Sequence, residues 1–499
     1  MSLSVGKSLC ALGIDLGTGS VKTVLLDAAG RQLAGTSAPV RVSSPRAGWA
    51  ESDPEDWWLA VRAAVRELVE MLDGMQAQVG AIGLSGQMHG VVLTSASSKP
   101  LRPAILHLDR RAQDDLDAYR ALPQQVRAVL GNPLVPSMAG PLLHWLASNE
   151  PDVLDNADWA LQPKDWLRLR LVGSAGSEPS DASATLLFDL ARSSWAGSVI
   201  AGLGLPSRLL PPIGQSGAVA GHLGAAAAGE LGLLPGTPVA FGCADTAAAL
   251  VGTGLADVGP VQLTVGSAAQ VVTLRRRPDP DPALRYHLFA SALPDLWYAM
   301  AAVQIAGIAI SWALAAFAAT WDEAYEALAG APPGANGALF VPHLTGARSP
   351  SMDPSAGAGF VDIELHQQRA DMLRAVFEGV AFSIAQAAAS LPEFADAPVL
   401  HLAGGGTLHT EWRQLLCDVL GKKLLVVENP NASARGAALL GGQAAGVIGE
   451  ISEEPLITQE VEPDERSHAH LSRVFELWEQ AAAAISKPSR VRPGNQVTK

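Results

Sequence analysis

Cysteine and basic residues are scarce in this chain. Three cysteines, Cys10, Cys243 and Cys417, are spread over 499 residues without a CxxC pair, which excludes a disulfide framework and gives no support for a zinc site. The 35 basic residues are outnumbered by 49 acidic ones, and the net charge of −14 argues against nucleic acid or an anionic membrane as a partner. The first residues also lack the apolar core of a signal peptide. We therefore expect a reduced, cytoplasmic protein.

One uncharged run raises the question of a membrane span. Residues 296–321 contain no charged side chain, and the run is long enough to cross a bilayer as a helix. Gln304 and Ser311 interrupt it, and Asp295 and Asp322 flank it in place of lysine or arginine. We predict that the run forms one buried helix of a large domain.

Length and patterning indicate a large α/β protein. A chain of 499 residues with 48% hydrophobic content predicts about two to four lobes with extensive buried layers. Helix-like and strand-like segments alternate along most of the sequence. Residues 163–170 predict an amphipathic helix that packs over a pocket, and residues 174–183 predict a polar loop.

A glycine turn near the start joins two strand-like segments. Residues 9–15 and 21–27 have strand patterns, and Gly17-Thr18-Gly19-Ser20 forms the turn between them. The residues after Gly19 are strand-like and no GxxxxGK[ST] motif is present, which argues against a Rossmann loop and a P-loop. Backbone N–H groups of such a turn can bind phosphate, and Asp15 can hold Mg²⁺ beside it. An ordinary hairpin with a capping aspartate is the alternative.

The segment around Asp245 lies near the middle of the chain. Residues 239–244 have the pattern of a buried strand, and the alanine-rich residues 246–250 predict a helix. A side chain at a strand-to-helix junction projects into the crevice where open α/β sheets bind ligands. Asp245 is therefore either a general base for a substrate hydroxyl or the N-cap of the helix.

Two further strand ends carry polar residues. Met88-His89 follows a predicted strand and suits a sugar pocket, although it could equally fill a loop. Asp109 and Arg110 follow the strand-like residues 103–108 and predict either a surface ion pair or contacts with polyol hydroxyls.

The second half repeats the architecture of the first. Residues 261–265 lead into Gly266-Ser267-Ala268, and residues 271–274 return as a strand. Farther on, Gly404-Gly405-Gly406 separates a strand from a helix, which permits close approach of the backbone to a ligand or merely makes a tight connection. Two phosphate-binding turns would then face one cleft.

Several motifs in fixed order carry a resemblance to a known family. They are Gly13-Ile14-Asp15-Leu16-Gly17-Thr18-Gly19, Ser85-Gly86-Gln87-Met88-His89-Gly90, Pro163-Lys164-Asp165-Trp166-Leu167-Arg168, Gly242-Cys243-Ala244-Asp245, Phe340-Val341-Pro342-His343-Leu344-Thr345-Gly346, Gly404-Gly405-Gly406 and Gly436-Ala437-Ala438-Leu439-Leu440. Over residues 9–447 the chain resembles the FGGY family of carbohydrate kinases, most closely its xylulokinase members. The resemblance implies an α/β fold with two actin/hexokinase-like (ribonuclease H-like) lobes and a cleft between them. Residues 1–246 would form the sugar-binding N-terminal lobe with the first phosphate hairpin, 247–450 the ATP-binding C-terminal lobe, and 451–499 a C-terminal helix and polar tail that we expect to be disordered from Lys487.

The resemblance also implies roles for individual residues. Asp245 would accept the hydroxyl proton, and Asp15, the second catalytic acid, would hold Mg²⁺ beside ATP. The implied sugar contacts are Met88, His89, His107, Asp109, Arg110 and Asp245. The implied ATP contacts are Gly17, Thr18, Gly266, Ser267, Gly307, Gly405, Gly406 and Thr410. The sugar and ATP would be the partners, with no nucleic acid and no membrane, and we expect a homodimer.

The implied reaction is ATP-dependent phosphorylation of a ketopentose, D-xylulose to D-xylulose 5-phosphate. His107-Leu108 stands where many xylulokinases have Trp-Asn, Ser267-Ala268 where Thr-Ser is common, and Ala347-Arg348 where Glu-Arg is usual. The first departure leaves another sugar or polyol open, such as ribulose, an alditol or a signalling sugar. A non-catalytic sugar-responsive protein and an actin-like ATPase are the alternatives outside the sugar kinases.

Overall fold

The computed structural model describes residues 8–75, 77–427, 431–451 and 455–485, so the tail expected from Lys487 lies outside the described residues. The strands are β1 Ser8–Leu16, β2 Ser20–Leu26, β3 Gln32–Pro39, β4 Glu51–Ser52, β5 Ala77–Gly86, β6 Val92–Thr94, β7 Ala104–Ile105, β8 Trp159–Leu161, β9 Phe188–Asp189, β10 Ser194–Trp195, β11 Val219–His222, β12 Pro238–Ala240, β13 Cys243–Ala244, β14 Val261–Val265, β15 Ala269–Arg275, β16 His287–Ala290, β17 Trp297–Val303, β18 Leu339–Pro342, β19 Ala358–Val361, β20 Val399–Ala403, β21 Lys423–Val427 and β22 Ile457–Val461. The helices are α1 Pro54–Met75, α2 Leu116–Ala121, α3 Gln124–Arg127, α4 Ala139–Asn149, α5 Pro151–Asp155, α6 Pro163–Val172, α7 Pro179–Ala182, α8 Gly197–Gly202, α9 Ala225–Leu231, α10 Asp245–Gly252, α11 Gly307–Ala316, α12 Trp321–Gly330, α13 Arg369–Ala388, α14 Pro392–Asp396, α15 Thr410–Leu420, α16 Ala432–Ala444 and α17 Glu465–Ala484.

Two seven-stranded sheets organise the chain. The first has the order β11-β12-β5-β1-β2-β3, with β13 also paired to β5, and the second has the order β16-β17-β15-β14-β20-β21-β22. In the first sheet β1 runs antiparallel to β2 and parallel to β5. In the second, β14 runs antiparallel to β15 and parallel to β20. The predicted repetition of a meander in the two halves is confirmed.

The register of the first sheet gathers three strand ends at one edge. Asp15 at the end of β1 is paired with Ser85 of β5, and Ser85 is also paired with Cys243 of β13. Because these strands are parallel, their carboxyl ends meet, as they do where open α/β sheets bind ligands. Asp15 and Asp245, 230 positions apart in sequence, therefore lie at the same edge.

Helices α10 and α16 cross the first sheet at very short separation. A Cβ added to Gly436 of α16 would lie 1.9 Å from the carbonyl oxygen of Ala248 in α10. A Cβ on Gly13 of β1 would lie 1.9 Å from the carbonyl oxygen of Ala434. Glycine is required at both positions because any side chain would push backbone away from backbone. Residues from the end of the chain thereby support the strand that carries Asp15.

The uncharged run at 296–321 is not the single helix that we predicted. It contains the strand β17 and the whole of helix α11, and it ends at Trp321, where α12 begins. β17 lies between β15 and β16, and six of its seven residues are buried, so its pattern has no strand alternation to distinguish it from a buried helix. No helix among the described residues is long and apolar enough to cross a membrane.

The predictions for residues 163–170 and 174–183 are also wrong in part. Helix α6 forms, but it is buried around nearly its whole circumference, and its charged residues Lys164, Asp165 and Arg168 are each at most 1% exposed. The segment expected to be a polar loop includes the short helix α7, with Glu178 and Asp181 fully buried. The polar residues of these two segments face one another inside the protein, which an amphipathic pattern cannot reveal.

Candidate active site

Two carboxylates define the site at the edge of the first sheet. Asp15 is 8% exposed, and its Oδ1 accepts a hydrogen bond of 2.9 Å from the hydroxyl of Ser85. The same hydroxyl lies 3.3 Å from the carbonyl oxygen of Ser433. The hydroxyl of Ser433 in turn donates to the carbonyl oxygen of Asp245 at 3.0 Å. Ser85 therefore links the side chain of Asp15 to the backbone of Ser433, and Ser433 links that point to the backbone of Asp245.

Asp245 is the first residue of α10 and not its N-cap, which is Ala244. Its Oδ1 accepts a 2.6 Å hydrogen bond from the backbone N–H of Thr246, and Oδ2 has no protein partner among the described residues. Burial, with the charge of Asp15 as the second cause, raises the pKa of Asp245 to about 7. A half-buried carboxylate with one free oxygen and a pKa near neutrality has the properties of a general base.

The pair of carboxylates also fits a divalent cation. Burial raises the pKa of Asp15, and the Asp15 charge contributes to raising that of Asp245, so a cation between them would stabilise both in the charged form. Within the described residues no group of three or more His, Cys, Asp or Glu side chains could hold a metal ion. Two carboxylates suffice for Mg²⁺, which takes one or two carboxylates and completes its coordination with water and substrate phosphates. The residues present therefore suit Mg²⁺ bound together with a phosphate ligand.

Both glycine hairpins present backbone N–H groups. In the first, the N–H of Gly17 closes the turn onto the carbonyl oxygen of Ser20 at 3.1 Å, while the N–H groups of Thr18 and Gly19 have no acceptor within the described residues. The hydroxyl of Thr18 donates to the side-chain oxygen of Gln87 at 3.1 Å. Unpaired N–H groups in a tight turn form a concave site for an anion such as phosphate. Asp15 is in β1 and bonds to Ser85, so it does not cap this turn.

A cavity of about 410 Å³ lies beside the second hairpin. It brings together four of the predicted ATP contacts, Gly266, Gly307, Gly405 and Gly406. Ser267 and Thr410 are adjacent in sequence to lining residues but do not themselves line the cavity. The remaining lining residues are Val265, Ile310, Trp321, Tyr325, Leu408, His409 and Trp412.

Aromatic rings make one wall of this cavity. The rings of Tyr325 and His409 are stacked with centroids 3.7 Å apart and planes 2° from parallel, and Trp321 stacks on Tyr325 at 5.8 Å. Such a wall suits a flat heteroaromatic base. Our sequence analysis did not predict this wall, because Trp321 and Tyr325, one turn apart on α12, meet His409, which precedes α15, only in the folded chain.

Gly307→Ala is expected to destabilise the contact between the second hairpin and α11. The N–H of Gly307 donates to the carbonyl oxygen of Gly266 at 3.0 Å, and a Cβ at Gly307 would lie 2.6 Å from that oxygen. Relief of this clash should cost about 1–3 kcal/mol of unfolding free energy, measured by urea denaturation, and should raise the KM for ATP. Gly405→Ala is the control, since its Cβ would meet nothing within 4 Å. Equal losses in the two variants would contradict this assignment of the strain.

Met88 and His89 lie on the first-half side of the cleft. They are 6% and 9% exposed. The Sδ atom of Met88 accepts a hydrogen bond from the hydroxyl of Tyr298 at 3.8 Å. His89 has φ of +73°, its N–H donates to Gln162 Oε1 at 2.8 Å, and its Nδ1 lies 2.8 Å from the carbonyl oxygen of Ala184. Burial lowers the pKa of His89 to about 3, so the ring is neutral.

Asp109 differs from the other predicted sugar contacts because its carboxylate is fully engaged. It is 0% exposed, and the guanidinium of Arg111 donates to both of its oxygens at 2.9 and 2.8 Å. The N–H of Ala50 donates to Oδ2 at 2.6 Å. Asp109 thus fixes the loop that presents its neighbours His107 and Arg110, both of which line a second cavity of about 160 Å³.

A buried charge cluster, absent from our predicted site, supports Asp245 and His89 from behind. Lys164 Nζ lies 2.6 Å from Asp165 Oδ1, 3.2 Å from Asp181 Oδ2 and 3.5 Å from Glu178 Oε1. Burial would lower the pKa of Lys164, but these three carboxylates outweigh it and hold the pKa above its ordinary value. We call Lys164, Asp165, Glu178 and Asp181 the Lys164 cluster.

Two hydrogen-bonded connections lead from the Lys164 cluster to the site. Ser180, held by Glu178, accepts from the N–H of Ala244 at 2.9 Å through its hydroxyl oxygen, immediately before Asp245. Gln162 donates from Nε2 to the carbonyl oxygen of Asp181 and accepts from the N–H of His89. The cluster therefore positions the backbone at both residues. The motif that contains Lys164 was part of the family resemblance, but nothing in it indicated this geometry.

The chain matches two family models in sequence. Residues 10–252 match the N-terminal domain, and residues 261–445 the C-terminal domain, of the FGGY family of carbohydrate kinases. The chain is 33% identical over 478 residues to a xylulose kinase of Klebsiella pneumoniae, covering 94% of this chain and 97% of the relative. It is 32% identical over 425 residues to a xylulose kinase of Escherichia coli K12, covering 83% of this chain and 85% of the relative.

A solved structure shares the architecture. The crystal structure of a xyloylose kinase from Brucella ovis superposes with a TM-score of 0.87 at 31% sequence identity, covering 95% of this chain and 99% of the other. Together with the two mixed sheets, this likeness confirms the predicted fold class of two actin/hexokinase-like lobes.

Proposed function

Because the chain belongs to the FGGY family of carbohydrate kinases, for which ATP is the phosphoryl donor, we propose that it transfers the γ-phosphoryl group of Mg-ATP to the 5-hydroxyl of D-xylulose. The observation that carries this proposal is the pair formed by Asp15 and Asp245, which lie at one sheet edge beside the first glycine hairpin. Asp245 retains a free oxygen and has a pKa of about 7. A coupled assay that follows sugar-dependent ADP release tests the reaction.

Phosphoryl transfer requires alignment and charge neutralisation more than covalent chemistry. The free N–H groups of Thr18 and Gly19 would bind phosphoryl oxygens, and the second hairpin would hold the other side of the triphosphate. Asp245 would orient the sugar hydroxyl toward the γ-phosphorus and accept its proton late in the transfer. Asp15, with Asp245 beside it, would hold Mg²⁺, which supplies neutralisation of the phosphate charge when it is bound. Closure of the cleft would exclude water, which otherwise competes as acceptor.

A kinase for another sugar or polyol is the second candidate. His107 lines the second cavity at a position where the family resemblance departs from the xylulokinases, so this residue bears directly on the choice of sugar. A panel of pentuloses and alditols in the ADP-release assay distinguishes the candidates. Absence of ADP release with every sugar, combined with measurable sugar binding, would instead favour a non-catalytic sugar-responsive protein.

The organisation of the protein around this activity is also a proposal. Residues 1–246 would act as the sugar-binding lobe, 247–450 as the ATP-binding lobe and 451–499 as a C-terminal appendage, in a cytoplasmic homodimer. The ATP cavity lies beside the second sheet and the sugar residues beside the first, which supports the division. Sedimentation of the purified protein tests the homodimer.

Asp15→Asn is expected to separate phosphate chemistry from sugar binding. The asparagine can still accept the hydrogen bond from Ser85, but it lacks the charge that holds Mg²⁺, so kcat should fall by about 10²-fold. Sugar affinity, measured by calorimetric titration without nucleotide, should be unchanged. An equal loss of sugar affinity would contradict this division between Asp15 and the sugar residues.

The activity should rise with pH through the pKa of Asp245. The deprotonated form is the base, so kcat/KM for the sugar should be low below pH about 7 and reach a plateau above it. The negative charge of Asp15 contributes to raising this pKa, so the acidic limb of an Asp245 titration carried out without Mg²⁺ should lie at lower pH in Asp15→Asn than in the parent. A limb that stays in place would show that another group titrates.

A further inference from the structure

Gln87 follows the middle one of the three strands whose ends form the candidate site. Gly86 at the end of β5 is paired with Leu16 of β1 on one side and with Ala244 of β13 on the other. The backbone N–H of Gln87 continues this pairing with a 2.9 Å hydrogen bond to the carbonyl oxygen of Leu16. Gln87 therefore occupies the position between the first glycine hairpin and Asp245.

The side-chain amide of Gln87 has a hydrogen-bond partner for its oxygen but none for its nitrogen among the described residues. The Oε1 atom accepts a 3.1 Å hydrogen bond from the hydroxyl of Thr18 in the first hairpin. The Nε2 atom is buried and unpartnered, and Gln87 as a whole is 1% exposed, so bulk water does not reach it. A buried donor without a partner is unfavourable, and such a group in a folded protein requires an explanation.

The position of this donor indicates which ligand would satisfy it. In phosphoryl transfer the moving group lies between the leaving phosphate and the attacking hydroxyl. The proposed function puts the phosphates at the first hairpin and the hydroxyl at Asp245, and Gln87 lies between these two. Thr18 is half-buried and Gly19 is exposed, so the hairpin next to the amide is open to a ligand. The ligand that fits the free donor is therefore the phosphoryl group.

We propose that Gln87 is a further catalytic residue, which donates from Nε2 to an oxygen of the transferring phosphoryl group while its Oε1 holds Thr18 in place. The inference rests on the proposed kinase function. The sugar hydroxyl oxygen forms a bond to the γ-phosphorus, the bond from that phosphorus to the bridging oxygen of ATP breaks to release ADP, and the hydroxyl proton passes to Asp245. Gln87 keeps its own protons and supplies a hydrogen bond to an oxygen that carries charge in the transition state.

Gln87→Met tests the proposal, because methionine has a similar length but neither the donor nor the acceptor. In the ADP-release assay with D-xylulose, or with the sugar that the substrate panel identifies, kcat should fall by about 10²-fold. KM for the sugar should be unchanged, since the lost hydrogen bond is made in the transition state. An apolar group in place of an unpartnered buried donor does not destabilise a fold, so the urea midpoint should equal or exceed that of the parent. A merely structural role for Gln87 predicts a lower midpoint with kcat per folded molecule unchanged.

Thr18→Val separates the two ends of the amide. It removes the hydroxyl that binds Oε1 and leaves Nε2 in place. If Gln87 acted only by holding Thr18, Gln87→Met would have no further effect on kcat in the Thr18→Val background. We expect instead that the second substitution lowers kcat there by at least about 10-fold. A double variant with the kcat of Thr18→Val alone overturns the proposal.

The outcomes separate this inference from the proposed function. Turnover of a sugar with kcat unchanged in Gln87→Met overturns the role of Gln87 and leaves the kinase standing. Turnover of no sugar overturns the proposed reaction, and nucleotide binding then decides the inference. Calorimetric titration compares ADP with a non-hydrolysable imido analogue of ATP, both with Mg²⁺, in the parent and in Gln87→Met. Weaker binding of the analogue with unchanged binding of ADP supports the contact with the γ-phosphoryl group, and any other pattern rejects it.

Discussion

Asp245→Ala should lower kcat by about 10²–10⁴-fold while the protein remains folded. The side chain is half-buried at the N-terminal end of α10 and makes its one set of hydrogen bonds to Thr246, so its loss leaves no buried group without a partner in the core. What is lost is the oxygen that, in the proposed mechanism, accepts the proton and holds the acceptor hydroxyl in line. Single-turnover measurements of sugar phosphorylation separate this effect from slow product release.

Asp245→Asn is the sharper companion variant. Asparagine preserves the size and the hydrogen bond from Thr246, but it cannot accept the proton, so its kcat should fall nearly as far. Both variants should melt close to the parent temperature and bind ATP with the same affinity. A kcat within about threefold of the parent in either variant, far below the usual effect of a general base, would remove Asp245 from that role.

The carboxylate pair could be predicted because the sequence determines it locally. Asp15 and Asp245 each stand at the end of an apolar strand, and parallel strands bring such ends to one edge. The glycine turns were recognisable for the same reason, since a tight turn between two strands has a short and specific pattern. Neither pattern determines how far apart the two halves lie. The four glycines that line the 410 Å³ cavity were predicted as ATP contacts only from the family resemblance.

Other parts of the site depend on contacts between distant segments. Tyr325 and His409 stack although they are 84 positions apart, and no local pattern relates them. β17 and α11 merge into one uncharged run because a strand buried along nearly its whole length has no polar alternation. Gln87 appeared in the sequence as part of a motif of the family resemblance, but the missing partner of its amide nitrogen among the described residues is visible only in the folded chain.

The sequence pattern is most misleading at the Lys164 cluster, where an amphipathic helix and a polar loop were predicted and the charged residues are in fact buried. Removing the lysine of this cluster gives the second large predicted effect, a loss of stability. Lys164→Met should lower the free energy of unfolding by about 3–5 kcal/mol, since it removes the cation that contacts Glu178 and Asp181 and leaves only Arg168, which pairs with Asp165. Lys164 is 0% exposed, as are Asp165, Glu178 and Asp181. Burial raises the pKa of Asp181 even with the lysine present, so without the lysine the carboxylates must take up protons or admit water. Urea denaturation followed by tryptophan fluorescence measures the loss.

Lys423→Met provides the matched control. Lys423 also bridges two carboxylates, Glu460 and Glu462, at 2.6 and 2.9 Å, but all three side chains are in contact with solvent, so its loss should destabilise the protein far less than the loss of Lys164. The activity of folded Lys164→Met should fall as well, because the Lys164 cluster holds the backbone next to Asp245 through Ser180 and that of His89 through Gln162. A purely structural role for Lys164 would lower stability and leave kcat per folded molecule and the pH of the acidic limb unchanged. Equal destabilisation by the two lysine variants would mean that burial of the cluster adds nothing to stability, and the stability prediction would then fail.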